Sequence, residues 1–149
     1  MRVFNTIKFG FVGSGEYKNK KMVEKTLIEL VCPNKDIVVS GRSPRNDYDN
    51  VDIWAEEWAN IFCKIPPIIH PAKEFTSNGF FARNKLVADD SDFLICFINR
   101  GQYKSGTWNT IKHFTRKGGK EYGEDWFIYD EDGKEWQGSE LPRQYRKWV

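Results

Sequence analysis

Apolar residues along this chain fall into two alternating periods. Short runs of strand length occur at Lys8–Val12, Asp36–Val39, Ile68–Ile69, Phe93–Ile98 and Trp126–Tyr129. The run from Phe93 is unbroken, the signature of a parallel strand covered on both faces. Between the runs the apolar residues recur at helical spacing. Met22, Val23, Thr26, Leu27, Leu30 and Val31 predict a helix over about 19–31, stopped by Pro33 and Asn34. Trp54, Ala55, Trp58, Ala59 and Phe62 predict a second, capped by Asp49 or Asn50, with Glu56, Glu57 and Asn60 facing water. Phe81, Leu86, Val87 and Ala88 share the face of a third, with Arg83, Asn84 and Lys85 near its start. Ser105, Gly106 and Thr107 open a fourth, whose Ile111 and Phe114 face inward and which Gly118 and Gly119 terminate. Strand and helix alternate five times, so the expected class is α/β: three layers, with a mostly parallel sheet of about five strands and helices on both faces.

In such sheets ligands bind beyond the carboxyl ends of the strands, where the strand order reverses. Three polar loops are due at that edge: Gly13, Ser14 and Gly15 after the first strand, Ser40, Gly41 and Arg42 after the second, and Ser105, Gly106 and Thr107 after the fourth. Arg83 reaches the same edge from its helix, beside Asn84. The last loop suits a phosphate, because the helix behind it offers free N–H groups. It suits equally an ordinary connection that turns at Gly106 and caps with Thr107. The first loop, GSGE, is half of a dinucleotide fingerprint and lacks the third glycine. Asp52 falls in a first helical turn, where a carboxylate complements the helix dipole. His70, at a strand end, reads as a hydrogen-bonded structural group rather than a proton shuttle.

Composition narrows the partners. Basic and acidic residues number 23 and 21, a net charge of +2, so no polyanion footprint dominates and anion recognition is expected to be local. Nucleic acid is therefore an unfavoured partner. Cys32, Cys63 and Cys96 are odd in number and widely spaced, which argues for a reduced compartment and for small buried hydrophobes rather than a disulfide or metal site. The acidic turn from Asp130 to Gly133 lacks the alternating ligands and terminal Glu of a calcium loop. No metal or cofactor is expected. No stretch reaches the roughly 18 apolar residues of a membrane span, and the N-terminus is too polar for a signal peptide, so the expected location is cytoplasmic. Six Trp contribute to an aromatic content of 15%, leaving room for a stacking site or an oligomer interface.

The order GSGE, SGRS followed by Asp52 and a Trp-Ala helix, HPA, ARNK before a buried strand, and SGT opening a helix resembles the SLOG superfamily. That superfamily includes the Lonely Guy phosphoribohydrolases and the DNA-processing protein A fold. The likeness covers about residues 8–129, so 1–133 is taken as the domain and 134–149 as a basic, aromatic tail. It implies a Rossmann-like fold that binds a nucleotide or a nucleotide derivative, usually as a homodimer. Arg83 stands for the Lonely Guy arginine, and Gly106 and Thr107 for its Gly-Thr. Its further loop glycines are replaced by Lys104 and Ser105 or their neighbours, and its acidic residues after the threonine by Asn109 and Thr110.

Three functions follow, in order. The first is a sensor or carrier that holds a nucleotide, with Gly13–Gly15 close to the ligand, Ser105–Thr107 and Arg83 on its phosphate, and Ser40, Gly41, Arg42 and Asn84 beyond. The second is a phosphoribohydrolase or deoxyribosyltransferase-like glycosidase. Cleaving an N-glycosidic bond needs a carboxylate, and an amide at Asn109 cannot serve, which leaves Glu16 and Asp52. The third is a nucleic-acid-associated module acting through Trp136, Arg143, Tyr145, Arg146, Lys147 and Trp148, although the favoured reading of that tail is an arm whose aromatics dock on the parent domain or a neighbouring subunit.

Overall fold

A computed structural model describes residues 6–42 and 50–146. Strand and helix alternate throughout: β1 Lys8–Gly13, α1 Lys20–Leu30, β2 Ile37–Ser40, α2 Val51–Phe62, β3 Ile68–Ile69, α3 Ser77–Asp90, β4 Phe93–Phe97, α4 Gly106–Thr115 and β5 Trp126–Tyr129. All four strand pairings are parallel, in the order β3-β2-β1-β4-β5. The chain steps from β1 outward to β3, then crosses to the other side of β1. That reversal opens a crevice between the carboxyl ends of β1 and β4.

The pleat divides the strand residues between two cores. Phe9, Phe11, Val38, Ile95 and Phe97 pack against Val23, Leu27 and Val31 of the α1 region and Val51, Trp54, Ala55 and Trp58 of α2. Val12, Val39, Leu94, Cys96, Ile98 and Ile128 pack on the other face against Val87 and Ala88 of α3 and Ile111 and Phe114 of α4. The result is the Rossmann-like three-layer arrangement, with a helix pair on each face. Among the described residues no helix is long and apolar enough to cross a membrane.

Helix starts follow local chemistry. Asn19 caps α1 at Met22 N (3.2 Å), Asn50 caps α2 at Ile53 N (3.0 Å), and Thr76 caps α3 at Gly79 N (3.1 Å). The alternative cap Asp49 lies outside the described residues. So does most of the loop that follows Arg42, together with Lys147 and Trp148.

The tail residues inside the described range are not a free arm. Trp136 and Leu141 are fully buried in the second core, and Glu135 bridges to Tyr129. Trp108 is stacked on one side by Tyr103 (6.0 Å between centroids) and on the other by Tyr145 (6.2 Å). Trp136 and Tyr145 are thus taken up in packing against the parent domain.

Several helix faces differ from expectation. Glu56 was placed toward water but is 4% exposed, while Phe62, placed inside, is 57% exposed. At 100° per residue Phe62 falls within the stripe and Glu56 beyond its edge; Phe62 is exposed as the last residue of α2, and Arg42 Nε meets the Glu56 carboxylate at 3.2 Å, which permits the burial of Glu56. On α3 it is Asn84 that is buried with Val87 and Ala88, and Phe81 and Leu86 are exposed. Leu30 at the end of α1 is also exposed. Of the cysteines only Cys96 is buried; Cys32 and Cys63 are half-buried, and all three are free. Burial pushes the Cys63 and Cys96 thiols up, away from reactive thiolate.

Burial likewise raises the Glu56 carboxyl, which Arg42 only partly offsets. A carboxyl whose folded pKa exceeds its unfolded one adds stability below the unfolded value, and that contribution is lost as pH rises through the folded value. Glu56→Gln should therefore gain stability relative to the parent as pH goes from about 4 to about 7. Urea midpoints at the two pH values check this, and a difference that does not change with pH would refute it.

Candidate functional site

Five elements converge on one cavity of about 360 Å³ at the carboxyl edge of the sheet. β1 and its turn contribute Gly13, Ser14, Gly15 and Glu16; the turn after β2 contributes Gly41; α2 contributes Asp52; α3 contributes Arg83 and Asn84; the loop into α4 contributes Lys104, Ser105, Gly106 and Thr107. Two expected residues stay outside. Ser40 is fully buried, its Oγ accepting from Arg42 N (3.2 Å), and Arg42 turns to Glu56. The residue after Gly41 has φ 42°, which swings its side chain into that pair rather than into the crevice.

Close approach explains two of the glycines. A Cβ on Gly13 would lie 2.3 Å from Val51 Cγ2, where the start of α2 crosses the end of β1. A Cβ on Gly41 would lie 2.6 Å from Arg83 Cδ. The bare Gly41 backbone is what lets the guanidinium in, and its carbonyl accepts from Arg83 Nη1 at 2.7 Å.

Arg83 is held on three sides. Besides Gly41, its Nε donates to Asn84 Oδ1 (2.9 Å) and its guanidinium carbon lies 5.8 Å from the centre of the Phe80 ring. Asn84 in turn donates to Asn109 Oδ1 (3.1 Å) and, at 3.4 Å, to the Gly106 carbonyl. Asn109, standing where an acid would be expected, is thereby a brace between α3 and α4. Burial lowers the Arg83 pKa, and the charge of Asp52 opposes that shift. Among the described residues no carboxylate forms an ion pair with Arg83.

The start of α4 differs from the other three. Ser105 occupies the N-cap position in extended conformation, yet makes no side-chain cap, and no acid lies in the first turn. Its Oγ is buried without a partner among the described residues. Thr107 is the second helical residue, not the cap. The first N–H groups of α4 are therefore left to whatever enters the cavity.

Glu16, on the turn after β1, is exposed and lines the cavity, its carboxylate accepting from Gln102 Nε2 at 3.1 Å. Asp52 and Glu16 thus both face the cavity, on different elements. His70 pairs with Asp90 and takes no part in the lining.

Sequence reasoning passed over Phe80, Phe81 and Gln102, which also line the cavity. Phe80 precedes Arg83 by three residues on one helix, a spacing that brings ring and guanidinium together and could have signalled the contact. Gln102 had only its position in the polar loop after β4 to mark it.

No protein-family model matches the chain, and no solved structure does. A stretch of 39 residues is 51% identical to an uncharacterized protein of Acanthamoeba polyphaga mimivirus, covering 24% of this chain and 22% of that protein. The match thus spans less than a quarter of the relative's length, and its description carries no activity.

Proposed function

We propose that this protein binds a nucleotide or a nucleotide-derived small molecule in the cavity between β1 and β4. One observation carries the reading: a buried hydroxyl without a partner among the described residues and a helix start without a side-chain cap share a cavity with a half-buried arginine that is in none of the ion pairs among those residues. Each is a donor awaiting an acceptor, and a phosphate supplies acceptor oxygens and charge to all three. Phe80 and Phe81 add ring surface to the same cavity, which suits a ligand that carries a base as well as a phosphate. The dimer implied by the SLOG resemblance is part of this proposal and adds nothing to the argument for the ligand.

A second reading, N-glycosidic hydrolysis, draws support from the two carboxylates, Glu16 and Asp52, on the cavity wall. One assay separates the two. The purified chain is incubated with mono-, di- and cyclic nucleotides at millimolar concentration, and both melting temperature and free base are recorded. A shift of a few degrees with no base released supports the carrier. Base release abolished by Glu16→Gln or Asp52→Asn supports the hydrolase. No shift with any nucleotide would retire both.

A further inference from the structure

The cavity has a second set of unsatisfied groups, of the opposite hydrogen-bonding character. Gln102 Nε2 donates to Glu16 Oε2 at 3.1 Å. That bond fixes which way the amide lies, since only the nitrogen can donate to a carboxylate. Gln102 Oε1 is left buried with no donor among the described residues. An orphaned acceptor thus sits beside a carboxylate on the cavity wall. A buried acceptor without a donor costs stability, so a ligand group that donates is favoured here.

This end of the cavity is badly built for a phosphate. The turn after β1 runs six residues before α1 begins, and Asn19 already caps that helix. The Glu16 N–H is consumed by Ser14 Oγ (3.2 Å), and the Ser14 N–H by the Phe97 carbonyl (3.0 Å). What this end presents is the Glu16 carboxylate from the turn and the Gln102 amide oxygen from the loop after β4, which repel an anion and attract hydroxyls.

We propose that Glu16 and Gln102 recognise the ribose hydroxyls of the ligand, with the phosphate at α4 and Arg83, and that the site selects ribonucleotides over 2′-deoxyribonucleotides. The inference rests on the reading that the cavity holds a nucleotide. A carboxylate accepts both hydroxyls of a vicinal diol, and loss of a hydrogen bond to a charged group leaves it desolvated and unpaired. Amino groups of a base would seek the same acceptors, but the ring surface a base stacks on comes from α3.

Calorimetry with the four ribonucleoside 5′-monophosphates and their 2′-deoxy counterparts, in EDTA to hold out divalent cations, tests the assignment. The tightest ribonucleotide is expected to bind about tenfold or more better than its deoxy form. In Glu16→Ala, ribonucleotide affinity should fall to the deoxy level, and Gln102→Leu should narrow the gap by a smaller factor. Circular dichroism melts confirm that both variants fold. Equal binding of ribo and deoxy forms by the parent overturns the inference and leaves the nucleotide reading standing. A preference that survives in folded Glu16→Ala also overturns it. If neither series binds, the nucleotide reading falls first and this inference with it.

Discussion

Arg83→Gln is expected to weaken binding of phosphate-bearing ligands by roughly ten- to a hundredfold, because a hydrogen bond to a charged group contributes about 1.5–3 kcal/mol. The side chain is pre-positioned for that task. Its Nη1 and Nε are spent on the Gly41 carbonyl and Asn84 Oδ1, which fixes the plane of the fork, and Phe80 lies against it. Nη2 has no hydrogen-bond partner among the described residues and the guanidinium is half-buried, so a donor is left for an anion. Arg83→Lys should not rescue affinity, since a single ammonium cannot hold two divergent acceptors and also reach a ligand. Titration of each variant with the best nucleotide from the screen, alongside a melt to confirm folding, gives the answer. An unchanged dissociation constant in folded Arg83→Gln would remove the anion site from the proposal.

The β1, β2 and β4 turns could be placed at one edge from sequence because their positions follow from topology. Parallel strands joined by helices send every strand-to-helix turn to the same side, and the unbroken run from Phe93 identified an interior strand, β4, between β1 and β5. Helix faces were harder to read. Asn84 was read as an outer contact to the ligand, whereas its amide joins Arg83 to Asn109 across two helices, a contact between residues 25 apart that no local pattern announces. Glu56 was misplaced for a related reason: its burial depends on Arg42, which a backbone of positive φ delivers from another element. Gln102 gained its place from Trp108, whose Nε1 donates to the Gln102 carbonyl at 2.9 Å. Trp136 and Tyr145, read as part of an arm that docks on the parent domain, pack against Trp108 as the support behind the loop.

That support makes Trp136→Ala the substitution with the largest expected cost to stability, about 3–5 kcal/mol. The indole is 1% exposed and donates from Nε1 to the Ile98 carbonyl at 3.0 Å, just beyond the end of β4. Truncation leaves that carbonyl unpaired as well as a cavity where Tyr103 and Trp108 meet the indole edge-on, at 5.6 and 5.7 Å. For a domain of this size each kcal/mol moves the melting point by about 2–4 °C, so a fall on the order of 10 °C is expected. Trp136→Phe keeps most of the ring contact and loses only the N–H, and should cost about 1–3 kcal/mol. The functional effect runs through the loop: Tyr103, held by its hydroxyl on the Glu140 carbonyl (2.6 Å), and Trp108 both lean on this indole, and between them they carry Gln102 and the approach to Ser105. At a temperature where Trp136→Ala remains folded, nucleotide affinity should therefore fall although residue 136 does not line the cavity. A melting point within about 1 °C of the parent would mean that the 134–146 segment is not integral to the domain, and an unchanged affinity would free the loop from its aromatic brace.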